Sequence, residues 1–135
     1  MIICPLCDDV ERTGTRLLSN ETVNVLLHPD WSCLGHAMIA SRRHVENFSE
    51  LTADEAAAFC ETVRRVEDVL LHESRADRAI LLKLGIQTPH LHLHIYPVSA
   101  SLDRESVMAI IDARVRVDED RGFVDRVRAR LERKS

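Results

Sequence analysis

The chain has 135 residues, 45% hydrophobic and 30% charged, the size and balance of one folded domain rather than a disordered segment. Its net charge of −4, with histidines neutral, directs it neither to nucleic acid nor to an anionic membrane surface. No run approaches the roughly 18–20 apolar residues of a membrane span, no leader peptide is read at the start, and four sparse cysteines make no disulfide framework, so a cytoplasmic protein is expected.

Cys4-Pro5-Leu6-Cys7 comes first. The CxxC spacing suits a zinc knuckle, a redox pair or two unrelated thiols, and no βαβ context supports a thioredoxin-like reading. Residues 13–15 mark a turn. Residues 22–27, rich in Val and Leu, read as a strand, followed by a loop over 29–34 that carries the only Trp, read as a packing anchor, and by a second strand over 35–40.

Thr52-Ala53-Asp54-Glu55 has the form of a capping box. The helix it opens places Phe59, Val63, Val66 and Leu70 on one face over about five turns. Residues 79–84 read as a buried strand halted by Gly85. A further strand covers 90–96, opened by Pro89 and ended by Pro97. Two helices follow, over 103–113 and 120–132, the latter with Phe123, Val127 and Leu131 on one face and its arginines on a solvated one. Cys33 and Cys60 read as ordinary thiols, Cys60 as a packed one. His72 reads as a favourable charge near a helix end. Strands in the middle and helices at the end predict a single α+β domain, an antiparallel sheet with helices on one side.

His90-Leu91-His92-Leu93-His94-Ile95-Tyr96 is the most informative segment. Alternation in a strand puts His90, His92 and His94 on one face, successive rings about 6.5–7 Å apart, and Leu91, Leu93 and Ile95 on the other. Such a face can be a polar solvent face, a metal site made of all three, or a catalytic surface. Neutral imidazole attacks phosphorus well, and its ordinary pKa leaves it unprotonated at neutral pH.

Gly35-His36, Arg43-His44, the capped helix and HxHxH in this order resemble the histidine triad (HIT) superfamily, whose signature HφHφHφφ is matched from His90 to Tyr96 when Tyr counts as apolar. The resemblance covers residues 4–97 and leaves 98–135 as a helical extension. It implies an antiparallel half-barrel sheet with a long helix packed on it, usually as a homodimer. It also implies a hydrolase or nucleotidyl transferase acting at the α-phosphate of a dinucleoside polyphosphate or a nucleoside phosphoramidate. His92 would be the nucleophile that forms a nucleotidyl-histidine intermediate. His94 would contact the phosphate and assist the leaving group. A histidine rather than glutamine there favours hydrolysis over transfer. His36 would join from the neighbouring strand. In zinc-bearing members the CxxC is completed by the histidines corresponding to His44 and His90, so Cys4, Cys7, His44 and His90 would hold one structural zinc per chain.

The recognition loops depart from that pattern. Where many relatives place an acid for the ribose hydroxyls stands His28, with Asp30 two residues later as a substitute. Gln87 takes the place of a phosphate-binding Ser or Thr, and its amide can donate to a phosphate oxygen. Ile86 stands where one branch carries Asn. A non-catalytic nucleotide-binding protein on the same fold is the first alternative, and a catalytic metal on the three triad histidines the second.

Overall fold

The computed structural model describes residues 4–133. It begins with one helical turn, α1 (Pro5–Asp8), that Pro5 starts without losing a needed donor. The Cys4 carbonyl accepts from the N–H groups of Cys7 and Asp8, so this turn brings the two cysteines together. Then come β1 (Thr15–Ser19), β2 (Val23–Leu27) and β3 (Ala37–Ser41). The β1–β2 turn is closed by the Asn20 side chain, whose oxygen accepts from the N–H of Thr22 and of Val23, both at 2.9 Å.

The long helix α2 spans Ala53–Ser74. Its capping box forms as expected: Thr52 Oγ1 accepts from the Glu55 N–H at 3.1 Å, and Glu55 Oε1 accepts from the Thr52 N–H at 2.8 Å. Such a cap contributes about 1 kcal/mol. At 22 residues the helix runs about six turns, one more than its apolar spacing suggested. β4 (Arg78–Leu82), β5 (His92–Val98), α3 (Arg104–Ile111) and α4 (Phe123–Arg133) complete the chain.

All strand pairs are antiparallel, in the order β1-β2-β3-β5-β4. One face of this open sheet carries Val25, Ile39, Leu93 and Ile95 against Phe59, Val66, Val69 and Leu70 of α2, and α4 extends the same core with Phe123, Val127 and Leu131. At roughly 25 cal/mol per Å² of apolar surface, this cluster is the main stabilising term. Arg126 and Arg130 of α4 both pair with Glu73 of α2, at 3.2 and 2.6 Å. The opposite face carries two smaller clusters, one around Leu6, Leu26, Met38 and Ala40, the other around Tyr96, Val98 and Ile110. A cleft lined by Leu6, Met38, Tyr96 and Ile111 lies between them.

Five expectations need correction. The helices do not all lie on one side of the sheet: Leu6 of α1 and Ile110 of α3 pack on the face opposite α2 and α4, because their apolar residues cover the small clusters there. A strand at Thr15–Ser19 was missed, because its apolar pair Leu17-Leu18 sits next to a register shift and shows no clean alternation. β4 is not buried: it is an edge strand with Leu81 45% exposed. Pro97 does not end β5. It lies opposite Ala79, beyond Ala37↔Ile95, the last partner pair between β3 and β5, so no strand on that side requires its missing N–H. Cys60 is exposed, whereas Cys33 is buried.

Candidate functional site

Strand parity assembles the site. Met38 lies opposite His94 and Ala40 opposite His92, so these four side chains share the face turned away from α2. His36 is two residues before Met38, and His28 two residues after its partner Leu26. The His28 N–H donates to the His36 carbonyl at 2.8 Å, carrying the register beyond the strands. Four imidazoles, His28, His36, His92 and His94, thus line one cavity of about 670 Å³. Gly35 makes the entry to β3 possible: its φ is +92°, and a Cβ there would come within 3.1 Å of Pro97 and 3.2 Å of Phe123.

His90 parts from the other two triad histidines. It precedes β5, and its Nε2–H donates to the Ser41 carbonyl at 2.6 Å. That leaves Nδ1 bare, at 3.3 Å from both Cys4 Sγ and Cys7 Sγ and 3.1 Å from His44 Nδ1. Four donor atoms of a soft Cys2His2 set converge, and a ligand histidine tied through its far nitrogen to a carbonyl is the usual outer support of a metal site. The group formed by Cys4, Cys7, His44 and His90 can therefore hold a metal ion. Its closed donor set leaves no position for a substrate. A metal on all three triad histidines is incompatible with this arrangement.

His92 is 9% exposed and is held differently. Its Nδ1–H donates to the His90 carbonyl at 2.6 Å, which fixes the tautomer and leaves Nε2 with its lone pair. His36 and His94 form a chain with Asp30. His36 Nδ1–H donates to Asp30 Oδ1 at 2.8 Å, and His94 Nδ1–H donates to His36 Nε2 at 2.9 Å. Asp30 is thus a support for His36, and that work was not visible in the sequence. His36 is also stacked between His28 and Tyr96, with ring centroids at 4.3 and 4.1 Å.

Gln87 lies in the wall of the cavity, together with Gly85, Ile86 and Thr88, the loop before the triad. Ile86 itself is 81% exposed. A third wall segment, Ile111 to Ala113 at the end of α3, was not anticipated. Ala113 has a φ of 56°, and the backbone N–H groups of Ala113 and Arg114 close the helix end on the carbonyls of Ile110 and Ala109. Trp31 packs against the main core.

The electrostatics of the cavity are unusual for a phosphate site. No Lys or Arg lines it among the described residues, whereas the carboxylates of Asp30 and Asp112 do. Burial pushes His94 down to about 3, reinforced by the neighbouring His36, His92 and His28. Burial likewise lowers His36 to about 4 against the pull of Asp30, and lowers His28. Burial opposes ionisation of Asp30, but its bonds from His36 and the Ser32 N–H prevail and hold it below the usual carboxylate range.

These histidines stay neutral in the folded chain where the unfolded chain takes up protons. Stability is therefore fully present above pH 6.5 and is lost as pH falls from there toward 3–4. The midpoint of thermal unfolding is expected to drop by about 5 °C or more between pH 7 and pH 5. In a His94→Asn variant the slope should flatten. A midpoint independent of pH over this range would refute the buried neutral cluster.

Comparison with known proteins agrees with this architecture. Residues 10–100 match the model of the HIT domain family. The chain is 30% identical over 102 residues to a HIT-like protein of Saccharolobus solfataricus, covering 70% of this chain and 73% of that one. Among solved structures, a hypothetical histidine triad nucleotide-binding protein from Sulfolobus tokodaii superposes with a TM-score of 0.70 at 21% identity, over 96% of this chain and 93% of the other. A Zn-bound histidine triad family protein from Mycobacterium smegmatis gives 0.72 at 17% identity, over 97% and 94%.

Proposed function

Because the chain belongs to the HIT domain family, we propose that it is a nucleotide hydrolase acting at an α-phosphate through a nucleotidyl-histidine intermediate. The observation that carries this reading is the 2.6 Å bond from His92 Nδ1–H to the His90 carbonyl. With Nδ1–H so held, Nε2 is the nitrogen left to act as nucleophile at the wall of a cavity wide enough for a nucleotide.

In this reading His92 Nε2 attacks the α-phosphorus. An N–P bond forms while the bond from phosphorus to the leaving oxygen or nitrogen breaks. The imidazolium produced keeps its Nδ1 proton on the carbonyl oxygen, whose partial negative charge stabilises it. The arriving anion raises the proton affinity of His94, which takes up a proton from solvent on Nε2 as substrate binds, passes it to the leaving group, and takes one back from the attacking water. Water breaks the N–P bond and releases the nucleoside monophosphate. Asp30 and His36 keep His94 in register, and the Gln87 amide donates to a phosphate oxygen. Substrates would be dinucleoside polyphosphates or nucleoside phosphoramidates. Zinc is the ion that best suits Cys4, Cys7, His44 and His90, and it would supply structural cross-linking with no part in the bond-breaking steps. The test is monophosphate release from a panel of adenosine and guanosine polyphosphates and phosphoramidates. Nucleotide binding without release from any of them would favour a regulatory binding protein.

The same reading includes a homodimer. β4 is an unpaired edge, and Leu81 and Leu84 on or beside it are 45% and 56% exposed, an edge that soluble proteins ordinarily cover or charge. Sedimentation equilibrium is expected to give twice the 15.4 kDa chain mass. A monomer at micromolar concentration would remove this part of the reading.

A further inference from the structure

The carboxylate of Asp30 decides where the protons of two site histidines lie. Stacking between His28 and Tyr96 fixes the plane of the His36 ring, not the nitrogen that carries its proton. Asp30 Oδ1, 2.8 Å from His36 Nδ1, draws the proton there and leaves Nε2 to accept from His94 Nδ1–H at 2.9 Å. The Nε2 of His94, a cavity residue, is thereby bare. Without that carboxylate the neutral His36 is free to carry its proton on Nε2. It then donates to His94 Nδ1, and the His94 proton moves to Nε2, the wrong tautomer for taking up another.

Asp30 sits in an unusual stretch of backbone. Its own N–H donates to His28 Nδ1 at 3.1 Å, and its Oδ1 accepts from the Ser32 N–H at 3.1 Å. Between Asp30 and Ser32 stands Trp31, with a φ of 49°. A bulky side chain rarely adopts this left-handed conformation, and such residues persist only where their surroundings impose it. The Trp31 carbonyl accepts from the Val117 N–H at 2.8 Å, and the side chain packs against the main core. Arg116 Nη1 stands 3.5 Å from the Asp30 carbonyl, too far to hold it firmly. Val117 belongs to the stretch between α3 and α4, which leaves the cavity wall at Ala113 and lies beyond residues 10–100, the span that matches the HIT domain.

We propose that this stretch is a strap that positions the proton relay: the Val117 N–H holds Trp31 in its left-handed turn and, through Asp30, sets the tautomers of His36 and His94. Val117 is a positioning residue, reaching the reaction only through Asp30 and His36. Released from Val117, Trp31 relaxes toward the extended region, the Asp30–Ser32 backbone turns with it, and the carboxylate leaves His36. The consequence for catalysis rests on the hydrolase reading above, whereas the tautomers are read on the resting protein.

The experiment records nitrogen-15 shifts of the histidine rings in the full chain by long-range nitrogen–proton correlation, which distinguishes a protonated ring nitrogen from a bare one. Wild type is expected to show Nδ1–H on both His36 and His94. Val117→Pro, which removes the N–H, should shift both rings toward a mixture with Nε2–H, while His92 keeps its Nδ1–H and reports that the sheet is intact. Val117→Ala, which keeps the N–H, should match wild type. In turnover, Val117→Pro should lower kcat by at least about tenfold with KM within about threefold, and Val117→Ala should behave as wild type. Should proline disturb the fold, replacing Val117 by the matching α-hydroxy acid exchanges the N–H for oxygen alone and repeats the test. Unchanged His36 and His94 tautomers once the N–H is gone would overturn the strap, as would Nε2–H on His36 in the wild type. Altered tautomers with no release by wild type would leave the strap standing and overturn the hydrolase reading.

Discussion

His92→Ala is expected to lower nucleoside monophosphate release by at least about 10³-fold while leaving nucleotide affinity within a few-fold of wild type. The expectation rests on position. The ring makes one structural hydrogen bond, to the His90 carbonyl, and packs edge-on against His94 at 5.3 Å. Truncating it removes the proposed nucleophile and leaves both sheet faces otherwise intact. Quenching with an alkaline denaturant during turnover by wild type, which preserves the acid-labile N–P bond, should also trap a chain heavier by one nucleotidyl group, and the variant should trap none. If the variant retains more than a tenth of wild-type release, the attacking group lies elsewhere and the proposed intermediate is wrong.

Removing the metal-binding group should have the largest effect on stability. Cys7→Ser, or exhaustive chelation of the wild type, is expected to lower the thermal midpoint by about 10 °C or more, since structural zinc sites contribute their binding energy to folding. Cys4, Cys7, His44 and His90 come from a short N-terminal turn, the segment after β3 and the approach to β5, so one ion there would join three separate parts of the chain. The effect should reach the chemistry too. His90 supplies the carbonyl that orients His92, so release of its ring is expected to loosen the proposed nucleophile and to lower kcat more than it raises KM. Calorimetry with and without chelator, alongside elemental analysis, checks the first part. An unmoved midpoint on complete loss of metal would contradict a structural role.

The long helix and the triad strand were legible because each carries its own local code. Thr52 and Glu55 form the cap that their spacing announced, and Leu91, Leu93 and Ile95 turn to the core as alternation requires. The adjacent pair Leu17-Leu18 shows no alternation and concealed β1, and the apolar run over 79–84 concealed an edge strand, Arg78–Leu82. Neither pattern records which neighbour a strand pairs with, and pairing is what decides burial.

Taken alone, the sequence determined the residue types, their spacing and their parity, which is enough to specify the α+β class, the HIT signature and the candidate groups at the site. Hydrophobic period and cap chemistry are local, so they survive in the linear order. Which nitrogen of each histidine is engaged was decided only by the tertiary structure. It sends His90 to the thiols and His92 to a carbonyl, and it turns Asp30 toward His36 and His28. The C-terminal turn at Ala113 becomes a cavity wall in the same way. Each of these follows from contacts between segments tens of residues apart, and imidazole chemistry is set by the partner on the far side of the ring.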